Sequence, residues 1–350
     1  MIRFECDYAE GAHIKILEKL MTTNEEQTQG YGEDEYSINA KRYIQKMCKN
    51  DDVDVHFLVG GTQTNLTVIS SILRSHQGVI AAQSGHINVH ETGAIEATGH
   101  KVITLESKDG KITAKQVQEV FDLHWNDSNH EHMVQPGMVY ISHPTENGTT
   151  YTKKELQKLS EVCRQCHLPL FMDGARLGYA LVAETNDLTL EEIAKLCDIF
   201  YIGGTKVGAL FGEAVVISNE LLKKDFRYHM KQKGGMLAKG RLLGIQFETL
   251  FENGLYLEIS ENAVKKALQI RDAFKKKGYT FLYDSFTNQQ FPILSNQIIK
   301  DLSKKYAFFV WEQIDKDYSA VRFCTSWATT EKQIQSLLED ISKLKSYSFL

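Results

Sequence analysis

The chain has 350 residues, which at about 150 residues per domain corresponds to roughly two domains. With 42% hydrophobic residues, 24% charged residues and only four prolines, its composition is that of a globular protein and excludes a largely disordered or collagen-like chain. The 40 basic and 45 acidic residues give a formal charge of −5. This mild acidity argues against nucleic-acid binding, which normally requires a basic excess.

The sequence has no segment with the length and hydrophobicity of a membrane-spanning helix. Its longest strictly apolar stretch covers residues 306–311, whereas a spanning helix needs about 18 such residues or more. Residues 1–7 lack the basic region and apolar core of a secretory signal, so a cytoplasmic location is expected. In that compartment the six cysteines are expected to be reduced thiols.

Cys163 and Cys166, followed by His167, match the spelling of a c-type haem attachment site and of a redox CxxC motif. They close an amphipathic helical pattern just before an apolar strand, and no second cysteine pair accompanies them to make a zinc site. We interpret them as ordinary residues of that helix.

Short apolar runs alternate with amphipathic segments through the first two-thirds of the chain. The runs predicted to be strands are 53–59, 79–82, 101–105, 138–142, 168–172, 199–202 and 214–218. The predicted helices lie near 62–75, 113–124, 152–166 and 188–196. This alternation predicts an α/β fold with a mainly parallel sheet covered by helices.

A second, smaller domain is predicted in the last third of the chain. A basic, glycine-containing loop at 231–235 precedes a long helical pattern from about 242 to 277, and the domain change is placed in that helix. The predicted domains are therefore a large one at 1–245, with an N-terminal arm, and a small α+β one at 246–350. The small domain is predicted to contain strands at 291–294, 307–310 and 321–325 and a last helix from about Thr330.

The first candidate site follows the first predicted strand, where Gly60 and Gly61 precede Thr62 and Thr64 at the start of a helix. Glycines let the backbone approach an anion, the helix N-terminus presents free N–H groups, and threonine adds a hydroxyl donor. An ordinary strand-to-helix turn with a threonine cap explains the residues equally well. The spacing matches neither a Walker A loop nor GxGxxG.

Two further candidates follow later strands. Asp173 ends an apolar strand, with Arg176 three residues on, at the strand end where open α/β sheets bind ligands. The alternative is that Asp173 caps the next helix and pairs with Arg176. Lys206 lies among glycines between two apolar strands, where desolvation would lower its pKa and favour Schiff-base formation. The alternative there is a lysine that reaches solvent.

The fourth candidate is a polar cluster that contains His86, His90 and Glu91. A histidine there could stack on a planar ring or transfer a proton, although a loop-capping role explains either histidine taken singly. The HExxH order of a zinc site is absent, so no metal is expected.

Together the four candidates require a ligand with a phosphate, a planar ring, a basic ring nitrogen and a carbonyl group, and pyridoxal 5′-phosphate has all four. Asp173 and Lys206 are 33 positions apart, an order and spacing that resemble fold-type-I pyridoxal-phosphate enzymes. Within these the chain resembles the threonine aldolase and β-eliminating lyase family. The matching residues are Tyr31-Gly32-Glu33-Asp34, Gly60-Gly61-Thr62, His86 with Glu91, Glu146-Asn147, Asp173-Gly174-Ala175-Arg176, Lys206 and Arg322.

The resemblance implies a role for each matching residue. Lys206 would bind the cofactor covalently, Asp173 would keep its pyridine nitrogen protonated, and His86 would stack on its ring. Gly61 and Thr62 would bind its phosphate. The residues that would bind the substrate carboxylate are Arg176 and Arg322.

The resemblance also implies an aldolase that cleaves a β-hydroxy amino acid such as L-threonine or L-allo-threonine to glycine and an aldehyde. His86 and His132 are candidate bases for the β-hydroxyl proton. Tyr31 would reach the site of a neighbouring subunit, so a homodimer or homotetramer with shared sites is expected. The alternatives are a β-elimination lyase or aminotransferase with the same cofactor, and a non-catalytic binding protein of the same fold.

Several positions depart from the family pattern. The family's substrate-binding serine near the N-terminus is Cys6 here, which puts the carboxylate contact or the substrate size in doubt. The residue after the cofactor lysine, commonly glycine, is Val207. The family's phosphate-clamp arginine has no counterpart in the loop at 234–239, where Lys239 or Arg241 would substitute.

Overall fold

The computed structural model describes residues 1–345 of the chain. The β-strands are β1 (Ile2–Arg3), β2 (Asp54–Leu58), β3 (Gln77–Ala82), β4 (Lys101–Leu105), β5 (Gln135–Ser142), β6 (Leu170–Asp173), β7 (Ile199–Gly203), β8 (Glu213–Ile217), β9 (Gln289–Gln290), β10 (Ile293–Ser295), β11 (Tyr306–Ala307), β12 (Phe309–Gln313) and β13 (Tyr318–Cys324). The α-helices are α1 (Ile14–Thr22), α2 (Glu35–Cys48), α3 (Gly61–Ile72), α4 (His86–Val89), α5 (Ala114–Trp125), α6 (Lys153–Gln165), α7 (Leu177–Leu181), α8 (Leu190–Leu196), α9 (Phe226–Gln232), α10 (Arg241–Glu252), α11 (Leu255–Lys276), α12 (Asn296–Leu302) and α13 (Glu331–Lys343). None of the helices in this range is long and apolar enough to cross a membrane.

A seven-stranded sheet forms the centre of the described chain, in the order β2-β8-β7-β6-β5-β3-β4. Strand β8 runs antiparallel to both of its neighbours, and the other neighbouring pairs are parallel. The prediction of a mainly parallel α/β sheet covered by helices is confirmed. Alternate residues of each strand face opposite sides, so that Val139 and Ile141 pack in one apolar cluster and Met138 and Tyr140 in another.

Capping boxes set the start of several helices that cover this sheet. The threonine before α5, α6, α8 or α13 accepts a hydrogen bond from the third helical residue, whose own side chain accepts one from the threonine N–H. Helix α6 ends at Gln165, so Cys163 lies inside it and Cys166 caps it. Both thiols are buried and free, which confirms that the CxxC spelling is part of the helix.

The predicted single helix at 242–277 is wrong. The segment folds as α10 and α11, separated by Asn253 and Gly254. Gly254 has φ +74°, a left-handed conformation that glycine adopts without strain and that ends the first helix. Residue 245 lies inside α10, so the division into domains 1–245 and 246–350 stays a prediction, and residues 346–350 lie outside the described chain.

The first residues of the chain pack against its last third. Strand β1 pairs in parallel with β11, and the Cys324 N–H donates to the carbonyl oxygen of Phe4 at 2.8 Å. Phe4 is fully buried in a cluster that contains Tyr306 and Phe323. Strands β10, β13 and β12 form a small antiparallel sheet beside it, with β9 paired to β13. This packing carries the segment after β1 to the edge of the large sheet.

Candidate active site

The carboxyl ends of β2, β5, β6 and β7 meet at one edge of the large sheet, where ligands bind in open α/β sheets. A cavity there has a volume of about 1000 Å³ including its open mouth. The predicted residues that it brings together are Gly61, Thr62, His86, Asp173, Arg176 and Lys206. A second cavity continues from it and is lined by Cys6 and Arg322 as well as by His86, Arg176 and Lys206.

Asp173 ends β6 and is buried beneath the cavity. Its Oδ2 accepts hydrogen bonds from the hydroxyl of Tyr140 at 2.6 Å and from Nδ2 of Asn65 at 3.2 Å, and its Oδ1 accepts one from the N–H of Ala175 at 2.9 Å. Burial alone would raise the pKa of Asp173, but the positive charge of His86 and these hydrogen bonds lower it. The carboxyl group is therefore ionised in the folded protein.

The turn after Asp173 requires glycine at position 174. A Cβ atom at position 174 would lie 1.9 Å from the carbonyl oxygen of Tyr201, so any side chain there would separate β6 from β7. The glycine lets the chain turn against β7 and directs Arg176 toward the cavity.

Lys206 follows β7 and lies in the cavity wall. Burial lowers the pKa of its amine, as does the nearby charge of Arg176, while the carboxylates of Asp7 and Asp173 act in the opposite direction. A hydrogen bond fixes the backbone at this position, since the buried Tyr179 hydroxyl donates to the Lys206 carbonyl oxygen at 2.6 Å. A lysine with a lowered pKa has more of the neutral amine that attacks a carbonyl carbon.

His86 begins α4 and is held by two glutamates. Its Nδ1–H donates to Oε1 of Glu91 at 2.7 Å, and its backbone N–H donates to Oε1 of Glu146 at 3.0 Å. Burial would lower the pKa of His86, but the hydrogen bond to Glu91 and the charge of Asp173 raise it. The ring is thus fixed in orientation with part of its surface open to the cavity.

Helix α3 begins at Gly61, directly after β2, so its N-terminus points into the same cavity. The first N–H groups of a helix have no partner within the helix, and they attract anions. A Cβ atom at Gly61 would lie 3.2 Å from the hydroxyl of Tyr201, so glycine keeps this edge of the cavity open. Thr62 is exposed in the cavity wall.

Two arginines lie on the side of the cavity nearest the small sheet. Arg176 donates from Nε and Nη2 to both carboxylate oxygens of Asp7, at 2.6 and 3.0 Å. Arg322 donates to the carbonyl oxygen of Glu5 at 2.8 Å, and within residues 1–345 its buried Nε has no hydrogen-bond partner. Its guanidinium carbon lies 5.1 Å from the centre of the Trp311 ring. Both guanidinium groups are held in place before any carboxylate ligand arrives.

His132 and Tyr31 lie away from this cavity. His132 is exposed in a short 3₁₀ helix before the amino end of β5, an eight-residue strand, whereas the cavity is at the carboxyl end, roughly 26 Å away at 3.3 Å per residue. The structure therefore does not bring His132 to the cavity of its own chain, and its role as a base stays a prediction. Tyr31 is 46% exposed and lies beside Arg227 and Lys231, outside the cavity of its own chain, and its predicted contact with a neighbouring subunit stays a prediction.

Lys239 and Arg241 also lie outside the cavity of their own chain. Arg241 donates to the carbonyl oxygens of Glu26 and Thr23, and both basic residues line a separate groove near α1 and α10. Neither side chain completes the phosphate-binding end of the cavity in this chain.

The sequence interpretation missed several residues of the cavity. Tyr140 and Tyr201 hold Asp173, and a possible signal was their position on the strands that flank β6. Trp311 had no local signal, because its place beside Arg322 depends on pairing within the small sheet. Glu213, at the start of β8, is buried against residues 204–212, the loop that contains Lys206 and is called the lysine loop below.

The family model for β-eliminating lyases matches residues 14–296 of the chain. Among curated proteins, the chain is similar to the low specificity L-threonine aldolase of a Pseudomonas species, with 29% identity over 98% of each chain. It is also similar to the enzyme of that name from Pseudomonas aeruginosa, with 26% identity over 97% of this chain and 96% of the relative.

Comparison with solved structures also identifies a threonine aldolase as a relative. The Leishmania major threonine aldolase superposes with a TM-score of 0.95 and 45% identity, covering 98% of this chain and 99% of that one. A Thermus thermophilus aspartate aminotransferase shares the fold, with a TM-score of 0.71 and 12% identity over 98% of this chain and 91% of that one. The predicted fold-type-I architecture is therefore confirmed. The chain belongs to the threonine aldolase and β-eliminating lyase family.

Proposed function

We propose that the protein is a pyridoxal 5′-phosphate-dependent carbon–carbon lyase that cleaves L-threonine or L-allo-threonine to glycine and acetaldehyde. The observation that carries this proposal is the convergence of Lys206, Asp173 and His86 on one cavity that also contains two arginines. The relatives named as low specificity L-threonine aldolases support the choice of substrate.

The residues of the cavity fit pyridoxal 5′-phosphate. The amine of Lys206, with its lowered pKa, suits covalent attachment to an aldehyde. The ionised Asp173 suits a protonated ring nitrogen, and the exposed side of His86 suits contact with a flat ring. The N-terminus of α3 suits a phosphate, because the absence of a side chain at Gly61 leaves the space beside Tyr201 open.

When bound, pyridoxal 5′-phosphate supplies an electron-accepting ring that stabilises negative charge at the substrate Cα. The chain's own residues position the substrate. Arg322 and the remaining Nη1 of Arg176 bind the substrate carboxylate, which fixes the direction of the Cα–Cβ bond relative to the ring. Cys6 lines this side of the cavity and limits the space beside the carboxylate.

We assign the removal of the β-hydroxyl proton to His90. Its ring lies 5.5 Å from that of His86 and lines the same cavity. Burial and the charge of His86 lower the pKa of His90, so its imidazole is neutral at neutral pH and accepts a proton on a ring nitrogen. As that proton leaves, the O–H electrons form the aldehyde C=O bond, the Cα–Cβ bond breaks, and return of a proton to Cα gives glycine.

The same proposal includes a cytoplasmic homodimer or homotetramer with shared sites. The exposure of Tyr31 outside its own cavity supports a shared site, and the six free thiols support a reducing compartment. Sedimentation of the cofactor-loaded protein measures its oligomeric state. A monomer that is fully active would contradict the shared site.

The test of the function is a product analysis. The cofactor-loaded enzyme is incubated with L-threonine and with L-allo-threonine, and glycine, acetaldehyde, ammonia and 2-oxo acids are quantified. Glycine and acetaldehyde in equal amounts are expected. Ammonia with a 2-oxo acid would identify a β-elimination lyase, transfer of the amino group to an added 2-oxo acid would identify an aminotransferase, and no turnover of any amino acid would identify a binding protein. Lys206→Ala is the matched inactive control.

A further inference from the structure

Glu213 is a buried glutamate in the wall of the cavity. It lies between the part that the proposed function assigns to the cofactor phosphate and the part that contains Lys206. It begins β8, opposite Leu58 of β2 and Gly203 of β7. The first of these strands leads to the N-terminus of α3, and the second leads to Lys206. The Glu213 side chain is only 3% exposed yet lines the cavity together with Gly61.

The hydrogen-bond partners of Glu213 come from the lysine loop. Its Oε2 accepts the N–H of Gly204 at 3.3 Å, and the Thr205 side chain also hydrogen-bonds to the carboxyl group. Backbone N–H and hydroxyl groups at a cavity wall are the donors that a phosphate also uses. The Gly204 N–H is shared, since it also donates to the Gly212 carbonyl oxygen at 2.9 Å. Thr205 lines the same cavity as Gly61 and Thr62, the residues at the N-terminus of α3 that form the anion cradle.

The charged and titratable groups around Glu213 come from every neighbouring element. Lys206 faces it from the lysine loop, Asp173 from β6, Tyr201 from β7 and Tyr256 from α11. Burial raises the pKa of Glu213 to about 8, although the charge of Lys206 opposes this increase. The α3 residues that line the cavity, Gly61 and Thr62, carry no positive charge. They therefore do not offset the repulsion between an ionised Glu213 and a bound phosphate.

Two negative groups in one buried space oppose each other's ionisation. We propose that Glu213 is protonated whenever a phosphate ester occupies the cradle at the N-terminus of α3, so that under alkaline conditions, where the free carboxyl group is ionised, the chain takes up a proton on it as the phosphate binds. The neutral acid then also donates a hydrogen bond. This inference rests on the proposed function, since it takes the cradle to be the phosphate site of the cofactor.

Proton uptake has a consequence for binding. Above about pH 8 the free chain carries Glu213 ionised, so each further pH unit is expected to weaken phosphate-ester binding by up to about tenfold. Glu213→Gln removes the ionisable group and keeps the shape of the side chain, and it is expected to bind with an affinity that no longer falls in this way.

Difference infrared spectroscopy tests this directly in the full-length chain freed of cofactor. The probe is pyridoxine 5′-phosphate, which has the ring and the phosphate but no aldehyde to react with Lys206. At pH 9 its binding is expected to produce the C=O band of a protonated carboxylic acid, absent in Glu213→Gln. The matched control is Glu248→Gln, a buried glutamate on α10 paired with Lys19, which is expected to keep the band.

Labelling the wild-type chain with ¹³C-glutamate shifts the band and assigns it to a glutamate even if Glu213→Gln does not fold. A wild-type chain that binds the probe without this band, or a Glu213→Gln chain that keeps it, would overturn the inference alone. If pyridoxine 5′-phosphate and pyridoxal 5′-phosphate fail to bind at any pH, both the inference and the proposed function are overturned.

Discussion

Asp7 and Arg176 are 169 positions apart in the sequence and form a bidentate ion pair at the cavity, with Nε–Oδ2 and Nη2–Oδ1 distances of 2.6 and 3.0 Å. Asn288 also donates to the Asp7 carboxylate, at 3.0 Å. The pair connects the N-terminal arm to the turn after β6 and fixes the direction of the guanidinium group. Part of the substrate-binding surface therefore depends on the packing of the arm.

Asp7→Asn is expected to destabilise the protein. It leaves Arg176 buried without its counter-ion, a change that costs about 3–5 kcal/mol of unfolding free energy. Urea unfolding at pH 7 measures this. The control is Asp301→Asn, an exposed carboxylate paired with Lys304, which is expected to leave the unfolding curve unchanged. Equal effects of the two substitutions would contradict a special role for the buried pair.

The same pair makes stability depend on pH at the acid end. Burial alone would raise the pKa of Asp7, but the charges of Arg176 and Lys206 and the hydrogen bonds lower it to about 2. Since the folded pKa is below the unfolded one, the stabilisation is complete above about pH 4 and is lost as the pH falls toward 2. The difference in unfolding free energy between wild type and Asp7→Asn is therefore expected to shrink over this range. A difference that is constant down to pH 2 would refute the assignment.

The strands and the residues at their ends were predictable from the sequence, because a buried parallel strand is a local apolar run. The positions of Asp173 and Lys206 after such runs were enough to place both side chains at one sheet edge. The break at Gly254 has a local signal, the Asn253–Gly254 pair inside the helical pattern, which the prediction of one helix did not use.

Contacts between distant segments were not predictable from local patterns. The Asp7–Arg176 pair depends on the pairing of β1 with β11. The burial of Glu213 beside the lysine loop depends on the antiparallel position of β8. His132 is a different case, because its loop directly precedes β5 and therefore adjoins the amino end of that strand, away from the cavity of its own chain.

Asp173→Asn is expected to lower kcat by roughly 10²-fold or more while the protein stays folded. The amide keeps one of the two acceptor oxygens, so it retains the hydrogen bond of either Tyr140 or Ala175, and it has no charge to hold a protonated ring nitrogen. Steady-state kinetics and the visible spectrum of the bound cofactor measure the effect. The control is Asp198→Asn, which accepts the Leu170 N–H at the other end of β6 and is expected to keep kcat. Wild-type kcat in Asp173→Asn would show that the charge is not used.

His90→Asn is expected to lower kcat for L-threonine by about 10²- to 10⁴-fold, the range for loss of a general base, with KM and the cofactor spectrum unchanged. Since His90 acts as a neutral base, wild-type kcat is also expected to fall on the acid side of its pKa, which is below the ordinary histidine value. His132→Asn is the matched control and is expected to retain activity. Full activity in His90→Asn would exclude this base, and a loss in His132→Asn would show that this loop reaches the site of a partner subunit.

Trp311→Leu is expected to raise KM about fivefold with little change in kcat. The ring stacks on Arg322, and loss of a cation–π contact of about 1 kcal/mol lets the guanidinium group move away from the substrate carboxylate. The control is Phe286→Leu, which removes a similar contact with Arg271, outside the residues that line the cavity. A fall in kcat without a rise in KM would assign Trp311 to a different step.

The roles of Asp173 and His90 in turnover depend on Lys206 being the amine that joins the cofactor. The most direct test is reduction of the pyridoxal 5′-phosphate-loaded enzyme with borohydride, followed by peptide mass spectrometry to locate the modified residue. We expect a yellow protein that carries one cofactor per chain, fixed by reduction to Lys206 and absent from Lys206→Ala. A colourless protein that binds no cofactor, or a label on another lysine, would contradict the account.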